Sequence, residues 1–166
     1  CIRDRARIFA KAILHNAERL TDMVSSLLDL SRIEYGELKL NFEEINLNSF
    51  VEKYIQSISN LSKKKEIKII FKSNHKGTIN ADLKAIERIM DNLIDNAIKY
   101  SEKGSDITIS TINDSDGYIK VMIKDNGEGI ADEDINHIFS RFYRTASARA
   151  TENQGSGLGL AIVKHL

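Results

Sequence analysis

Two asparagines and a lysine recur along one short stretch, "DNLIDNAIKYS" at residues 91–101, in a pattern that can support chemistry. Residues of a helix advance by about 100° each, so Asn92, Asn96 and Lys99 would share one helix edge. A carboxamide oxygen is a neutral, hard ligand suited to Mg²⁺, and a lysine ammonium group is a point charge for phosphate. The stretch therefore indicates a metal–phosphate edge, although the same residues would also suit the solvated border of a packed helix.

A second string, "DNGEGI" at residues 125–130, directly follows an expected strand. Asp125 at the strand end could accept a hydrogen bond from an exocyclic amine such as that of adenine. Gly127 and Gly129 would let the backbone pass close to a flat base. An ordinary tight turn has the same composition, so this string alone leaves both interpretations open.

A third string, "GSGLGL" at residues 155–160, stands at the start of an expected helix. The N–H groups and dipole of such a helix can hold anionic phosphates, and a flexible loop capped by a helix is the alternative. The spacing of Gly155, Gly157 and Gly159 does not fit G-x-G-x-x-G, and no GK[ST] string occurs, so a dinucleotide fingerprint and a Walker loop are both excluded.

The elements that must position these strings follow from periodicity. The first segment carries small and apolar residues at alternating spacings of three and four, a seam typical of a helix in a bundle: Ala6, Ala10, Ile13, Ala17, Leu20, Val24, Leu27 and Ser31. Gly36 is the expected terminator of that helix.

The remainder, residues 39–166, predicts an α+β sandwich with helices on one face of a mixed sheet. We expect strands at 39–47, 66–73 and 76–82, helices at 48–65 and about 82–101, and a hairpin of 106–114 and 118–125 around "DSDG". A short amphipathic helix at 133–143, a mobile loop at 145–156 and a final helix at 157–166 complete the prediction.

Composition narrows the function. Among 166 residues, Lys+Arg and Asp+Glu both total 24, so the zero net charge suggests neither nucleic acid nor an anionic membrane as a partner. Cys1 is the sole cysteine, which excludes an internal disulfide and a cysteine-based metal cluster and fits a reducing compartment. No apolar run approaches the roughly 20 residues of a membrane-spanning helix. A start at Cys rather than Met suggests a fragment.

Together, "DNLIDNAIKYS", "DNGEGI", "IFSRFYR" and "GSGLGLAIV" resemble the N, G1, F and G2 boxes of sensor histidine kinases. "MVSSLLDLSRIEYGEL" resembles the second helix of their dimerisation bundle. The resemblance implies a Bergerat-type α/β sandwich that binds ATP, at residues 38–166, behind the bundle helix at 1–37. It implies transfer of the ATP γ-phosphoryl group to a histidine, for relay to the receiver domain of a response regulator. It also implies a homodimer, and a cytoplasmic domain of a protein anchored in the cell membrane.

The resemblance further implies roles for single residues. Asn96 would coordinate Mg²⁺ with Asn92 beside it, and Lys99 would contact phosphate. Tyr100 would pack along the adenine and Asp125 would read its amino group. The remaining assignments place Gly127 and Gly129 under the base, Phe139 and Phe142 as anchors of the loop over the nucleotide, Arg144 near the γ-phosphate, and Gly155, Gly157, Leu158 and Gly159 in the lid that closes over the phosphates.

Two departures from the family pattern set further expectations. The histidine of the family's acceptor box is followed by an acidic residue and a Thr-Pro or similar pair, and this chain has no proline. His15, His75, His137 and His165 therefore read as structural or solvated, and the acceptor helix is expected to precede this stretch. The family's domain also continues with a β-hairpin after the G2 helix, which is expected to follow Leu166.

Other proteins with the implied fold suggest alternative functions. Gyrase-like ATPases and anti-sigma serine kinases carry a glutamate one turn before the metal-binding asparagine, where it activates water or a serine hydroxyl. That position is Asn92 here, and an amide cannot act as a base, which favours phosphoryl transfer to histidine. A non-catalytic module that binds nucleotide or docks a partner is the alternative of a different class.

Overall fold

A computed structural model describes residues 2–114, 117–150 and 155–166 of the chain. Its helices and strands follow one another in this order: α1 (Ile2–Glu34), β1 (Phe42–Asn46), α2 (Leu47–Ser57), α3 (Ser59–Lys64), β2 (Lys68–Ser73), β3 (Thr78–Asp82), α4 (Leu83–Tyr100), β4 (Asp106–Asn113), β5 (Ile119–Lys124), α5 (Asp132–Ile135), α6 (Ala146–Ala150) and α7 (Gly159–His165). The side chain of His15 and the hairpin residues 115 and 116 lie outside the described part.

Helix α1 confirms the predicted first helix and its end, and its place in a bundle stays a prediction. Its seam residues Ile13, Leu20, Val24 and Leu27 are exposed, as expected for a helix whose apolar stripe suits another helix. Gly36 has φ 67, the left-handed conformation that commonly follows a helix and that glycine adopts without strain. The predicted terminator is therefore confirmed.

The strands form two sheets. β1 and β3 pair antiparallel, with Phe42 opposite Asp82, while β4 pairs with β2 in parallel and with β5 antiparallel. Side chains of β4 alternate, and Ile107, Ile109 and Thr111 are buried on one face. Helices α2 and α4 pack on that face in one apolar cluster. This is the mixed sheet with helices on one face that the alternating patterns predict.

Helix α4 is amphipathic and well capped. Its buried residues are Met90, Ile94, Ala97 and Ile98, at the three- and four-residue spacings of a single face. Asp82 provides the N-cap, because its Oδ1 accepts from the Ala85 N–H at 2.8 Å. The helix edge with the predicted site residues is consequently fixed next to the core.

Three predicted elements differ from the structure. The helix expected at 48–65 breaks at Ile58, where the backbone turns to φ −90 and ψ 2. The helix expected at 133–143 is only Asp132–Ile135, and turns replace the rest. Phe142, with φ 60, could not belong to a right-handed helix. The loop expected at 145–156 contains α6, while its residues 151–154 lie outside the described part.

The chain divides into two compact units. One comprises the residues up to Lys39 together with those from His137 onward, and the other comprises Leu40–Asn136. The prediction of two domains at 1–37 and 38–166 stays a prediction. No helix within the described residues is both long and apolar enough to cross a membrane.

Candidate functional site

The edge of α4 carries Asn92, Asn96 and Lys99, all half-buried. The Asn92 side-chain NH2 donates to the carbonyl of Arg88 at 2.7 Å. The amide nitrogen is a donor only, so the amide oxygen is the atom of Asn92 that can accept a hydrogen bond or ligate a metal. The Lys99 ammonium group pairs with the Asp95 carboxylate one turn earlier, so its charge is partly balanced within the helix.

Helix α2 supports this edge through Tyr54. The Tyr54 hydroxyl donates to Asp91 Oδ1 at 2.9 Å, and Asp91 directly precedes Asn92. Burial, the hydrogen bond and the negative charges of Asp91 and Asp95 together raise the pKa of the Tyr54 hydroxyl. The phenol therefore stays protonated and keeps donating across the physiological pH range.

The end of α4 contacts the turn that follows β5. A single antiparallel bridge pairs Ser101 with Gly127. A Cβ atom added to Gly127 would lie 2.6 Å from the carbonyl oxygen of Tyr100, closer than real Cβ atoms come to any neighbour. Glycine is therefore required here by the close approach of two backbone segments. The structure thus brings residues 91–101 and 125–130, two of the predicted boxes, into direct backbone contact.

The turn itself orients Asp125. Its exposed carboxylate accepts a hydrogen bond from the Gly127 N–H at 2.9 Å, the arrangement of an Asx turn. Asn126 donates to the carbonyl of Asp106 at 3.2 Å, which fastens the turn to β4. Gly129 has φ 78 with open space around it, so its glycine is needed for conformation. The turn therefore presents Asp125 from a fixed backbone.

Two residues without a predicted role lie at the same junction. The Lys65 ammonium group donates to the carbonyl oxygens of Ile98, Lys99 and Ser101. Ser101 is 4% exposed, and its Oγ has no hydrogen-bond partner among the residues that the structure describes. No local pattern could identify Lys65, because its partners are more than thirty positions further along the chain.

In the other compact unit, the F-box and G2-box strings join through their backbones. The Phe142 N–H donates to the Gly157 carbonyl at 2.9 Å. A Cβ atom on Gly157 would lie 2.8 Å from the Phe142 carbonyl carbon, and Gly157 also has φ 71. Glycine is thus required at 157 on both grounds. The Phe142 ring is largely exposed, and its role as an anchor over a nucleotide stays a prediction.

The arginines of "SRFYR" are both engaged within this unit. The Arg144 guanidinium group donates to the carbonyl of Ala148 in α6. Arg141 pairs with the Glu34 carboxylate at the end of α1. The approach of Arg144 to a γ-phosphate stays a prediction.

The predicted lid residues 155–159 differ in their surroundings. Leu158 is fully buried in an apolar cluster with Leu30 of α1 and Ile162 of α7, so its side chain packs in the protein interior. Gly159 is the first residue of α7. A Cβ atom on Gly155 would meet nothing within 4 Å. Gly157 therefore has a steric need for glycine in the structure, and Gly155 has none.

Comparison with known proteins identifies a matching family and several similar proteins. The model of the family described as "Histidine kinase-, DNA gyrase B-, and HSP90-like ATPase" matches residues 81–166. The sensor-like histidine kinase SenX3 of Mycolicibacterium smegmatis is 32% identical over 163 residues, which are 98% of this chain and 42% of that protein. The sensor histidine kinase WalK of Bacillus subtilis is 31% identical over 166 residues, covering 99% of this chain and 27% of that protein. The chain thus spans less than half the length of these curated relatives.

Solved structures agree with this fold. The Acinetobacter baumannii histidine kinase AdeS aligns with a TM-score of 0.75 at 30% identity, over 93% of this chain and 70% of that one. Full-length ShkA in complex with AMPPNP aligns with a TM-score of 0.82 over 96% of this chain and 33% of that one, at 24% identity, which supports the fold alone. The predicted fold class, an α/β sandwich preceded by a long helix, is confirmed.

Proposed function

Because the chain belongs to the family of histidine kinase-, DNA gyrase B- and HSP90-like ATPases, we propose that it is the ATP-binding catalytic portion of a sensor histidine kinase. In this proposal the γ-phosphoryl group of ATP passes to a histidine and then to an aspartate of a response regulator. The observation that carries the proposal is the backbone contact between Tyr100–Ser101, at the end of α4, and Gly127. That contact places the turn of Asp125 beside the helix of Asn92 and Asn96.

The adenine end of the nucleotide would bind at this turn. The Asp125 carboxylate is held by the Gly127 N–H, so it can accept from an exocyclic amine without first losing its orientation. Tyr100, half-buried at the end of α4, would pack along the base. The close approach at Gly127 keeps both groups at one end of α4.

The residues of α4 fit a magnesium-bound triphosphate. No group of three His, Cys, Asp or Glu side chains that could hold a metal ion occurs among the described residues. We propose that the ion would be held by the amide oxygen of Asn96, with Asn92 beside it, and by the phosphates, a donor set suited to Mg²⁺. Bound Mg²⁺ would neutralise phosphate charge during transfer. Lys99, now paired with Asp95, would supply a further positive charge to the phosphates.

Asn92 supports transfer to histidine over hydrolysis. Its NH2 group is bonded to the helix backbone, and an amide has no basic lone pair with which to deprotonate water or a hydroxyl. A neutral imidazole needs no such base, because its unprotonated ring nitrogen already presents a lone pair. Positioning and charge stabilisation would then account for most of the catalysis.

The proposed partners follow from α1 and from a relative. The apolar seam of α1 is exposed, which supports a helical bundle and a homodimer in the longer protein. The histidine kinase ThkA has been crystallised in complex with the response regulator protein TrrA, and this chain aligns with that kinase at a TM-score of 0.66 and 26% identity. We propose a receiver domain as the partner here as well. Membrane attachment of the longer protein stays an expectation from the resemblance.

Calorimetric titration with ADP and ATP, each with and without Mg²⁺, tests the nucleotide site. We expect the chain to bind both nucleotides, Asp125→Ala to abolish binding, and Asn96→Ala to remove the Mg²⁺ dependence. Matched controls are Asp22→Ala on α1 and Asn60→Ala on α3, both at exposed positions, which should bind like the wild type. A folded wild-type chain that binds no nucleotide would refute the proposal.

Transfer is tested separately with γ-labelled ATP and a histidine-bearing bundle helix supplied as a second polypeptide. We expect acid-labile label on that histidine, because a phosphorylated imidazole hydrolyses readily in acid. Label released only as free phosphate would indicate an ATPase. Nucleotide binding with neither outcome would favour a non-catalytic module.

A further inference from the structure

Lys65 lies against the end of α4, the helix with the predicted metal and phosphate residues. Its ammonium group donates to the carbonyl oxygens of Ile98 at 2.7 Å, Lys99 at 2.6 Å and Ser101 at 3.2 Å. An ammonium group has three N–H donors, so all the donors of Lys65 are used. All three acceptors belong to the last turn of α4 or to the residue that follows it.

The backbone around Lys65 is itself held firmly. The N–H groups of Glu66 and Ile67 donate back to carbonyls of α3 at 3.0 and 2.9 Å, the two-bond pattern that closes a helix through a left-handed residue. Glu66, with φ 58, is that residue. The Lys65 carbonyl in turn accepts from the Gly104 N–H at 3.3 Å, just after α4. Lys65 is therefore tied to the exit of α4 through both its backbone and its side chain.

The carbonyls that Lys65 contacts have no partner within α4, as is general for the last turn of a helix. The Ala97 carbonyl is satisfied by the Ser101 N–H, and Lys65 satisfies those of Ile98 and Lys99. The positive charge of Lys65 also complements the negative end of the helix dipole. Lys65 thus contacts the backbone at the point where the chain leaves α4.

We propose that Lys65 is a positioning residue of the nucleotide site. By capping α4 it holds the Tyr100 carbonyl and Ser101 at the distance that the bridge to Gly127 requires. The carboxylate of Asp125 depends on the same turn, since it accepts from the Gly127 N–H. The effect on nucleotide rests on the proposed function, whereas the effect on the bridge does not.

The test compares Lys65→Met, which keeps the chain length and loses all three donors, with Lys64→Met at the exposed preceding residue. Two quantities are measured in each variant: the amide ¹H–¹⁵N resonances of Ser101 and Gly127, and the ADP affinity by calorimetry. In Lys65→Met we expect both resonances to move and the affinity to fall at least about tenfold. Lys64→Met should match the wild type. Lys65→Arg retains donors and charge, and should restore the affinity to within about threefold of the wild type.

Each outcome separates this proposal from the proposed function. Unchanged resonances and affinity in Lys65→Met would overturn the positioning role while the ATP site stands. A lower melting temperature with unchanged affinity would also overturn it, because a purely structural role predicts that result. If the wild type binds no ADP, the proposed function fails, and the resonances alone still decide whether Lys65 sets the bridge. If Lys65→Met does not fold, Lys65→Gln is measured in the same way. Its shorter, neutral side chain has only two N–H donors for three carbonyls, so both resonances should still move, and unchanged resonances there would overturn the proposal.

Discussion

Gly127→Ala tests the close backbone approach of Gly127 to Tyr100. That contact holds Tyr100 and Asp125 together in the proposed adenine site. The added Cβ would stand 2.6 Å from the Tyr100 carbonyl oxygen, whereas ordinary contact begins at 3.4 Å, so the turn must retreat by 3.4 − 2.6 = 0.8 Å. Overpacking of this kind typically costs about 1–3 kcal/mol. The atom that the new Cβ meets is backbone and cannot swing aside as the end of a side chain could, so the cost should lie at the upper end of that range. We therefore expect the free energy of unfolding to fall by about 3 kcal/mol.

Thermal unfolding and ADP titration measure the two consequences. A loss of about 3 kcal/mol corresponds to a melting temperature lower by roughly 6–12 °C for a chain of this size. On the proposed function, ADP affinity should fall at least about tenfold, because Asp125 is oriented by the Gly127 N–H.

The matched control is Gly117→Ala, in the hairpin between β4 and β5. Gly117 has φ 78 with nothing within 4 Å, so alanine there meets a conformational penalty without a clash. It should cost about 1–2 kcal/mol and leave ADP affinity unchanged. If Gly127→Ala were as stable as the wild type and bound ADP equally well, the close approach at Tyr100 would not matter, and the reasoning would be refuted.

Three further variants test the surrounding elements. Glu66→Gly should raise the free energy of unfolding in a urea titration by about 0.5–1 kcal/mol, because relief of the left-handed backbone (φ 58) outweighs the chain entropy of glycine and the loss of the exposed ion pair with Lys103. Asp82→Asn should remove a pH dependence of stability, because hydrogen bonds from the backbone N–H groups of Asn41 and Ala85 lower the pKa of the Asp82 carboxyl below its ordinary value. Its stabilisation is present above the unfolded-state pKa and is lost as the pH falls through the lower folded-state value. Gly157→Ala should lower the melting temperature through a clash with Phe142 and through its φ of 71.

For each of these three predictions, one result would contradict the reasoning. A Glu66→Gly chain less stable than the wild type would mean that the left-handed backbone carries no strain. If the Asp82→Asn chain had the acid unfolding profile of the wild type, protonation of Asp82 would not contribute to the pH dependence of stability. A Gly157→Ala chain with an unchanged melting temperature would show that the F-box and G2-box backbones can separate at no cost.

Periodicity alone was sufficient for the main helices and strands. The alternating spacing of three and four residues correctly identified α1, and the same spacing placed the buried face of α4, because one face of a helix repeats locally along the chain. Alternation likewise identified β4, whose buried residues recur at every second position. The glycine-rich strings and their order were visible as letters, and their likeness to the kinase boxes agrees with the family match.

Local patterns failed where a distant contact sets the backbone. The helix expected to continue through "FSRFY" is absent there: Phe142 takes a left-handed conformation, and its N–H bonds to Gly157, fifteen positions further along the chain. Similarly, the pattern that extends through Ile58 contains no signal for the break between α2 and α3. Helical periodicity shows only which residues share a face. It does not show which distant segments the backbone will contact in the folded chain.

The residues themselves therefore specify the chemistry of this chain and the elements that carry it: carboxamides on a helix edge, a carboxylate at a strand end, and glycines where backbones turn. The tertiary structure explains why particular residue types are needed at single positions. Gly127 must be glycine because the Tyr100 carbonyl lies against it, and Lys65 matters because three carbonyls of a distant helix end converge on its ammonium group. Both depend on segments widely separated along the chain, which only the packing of α4 against its neighbours brings together.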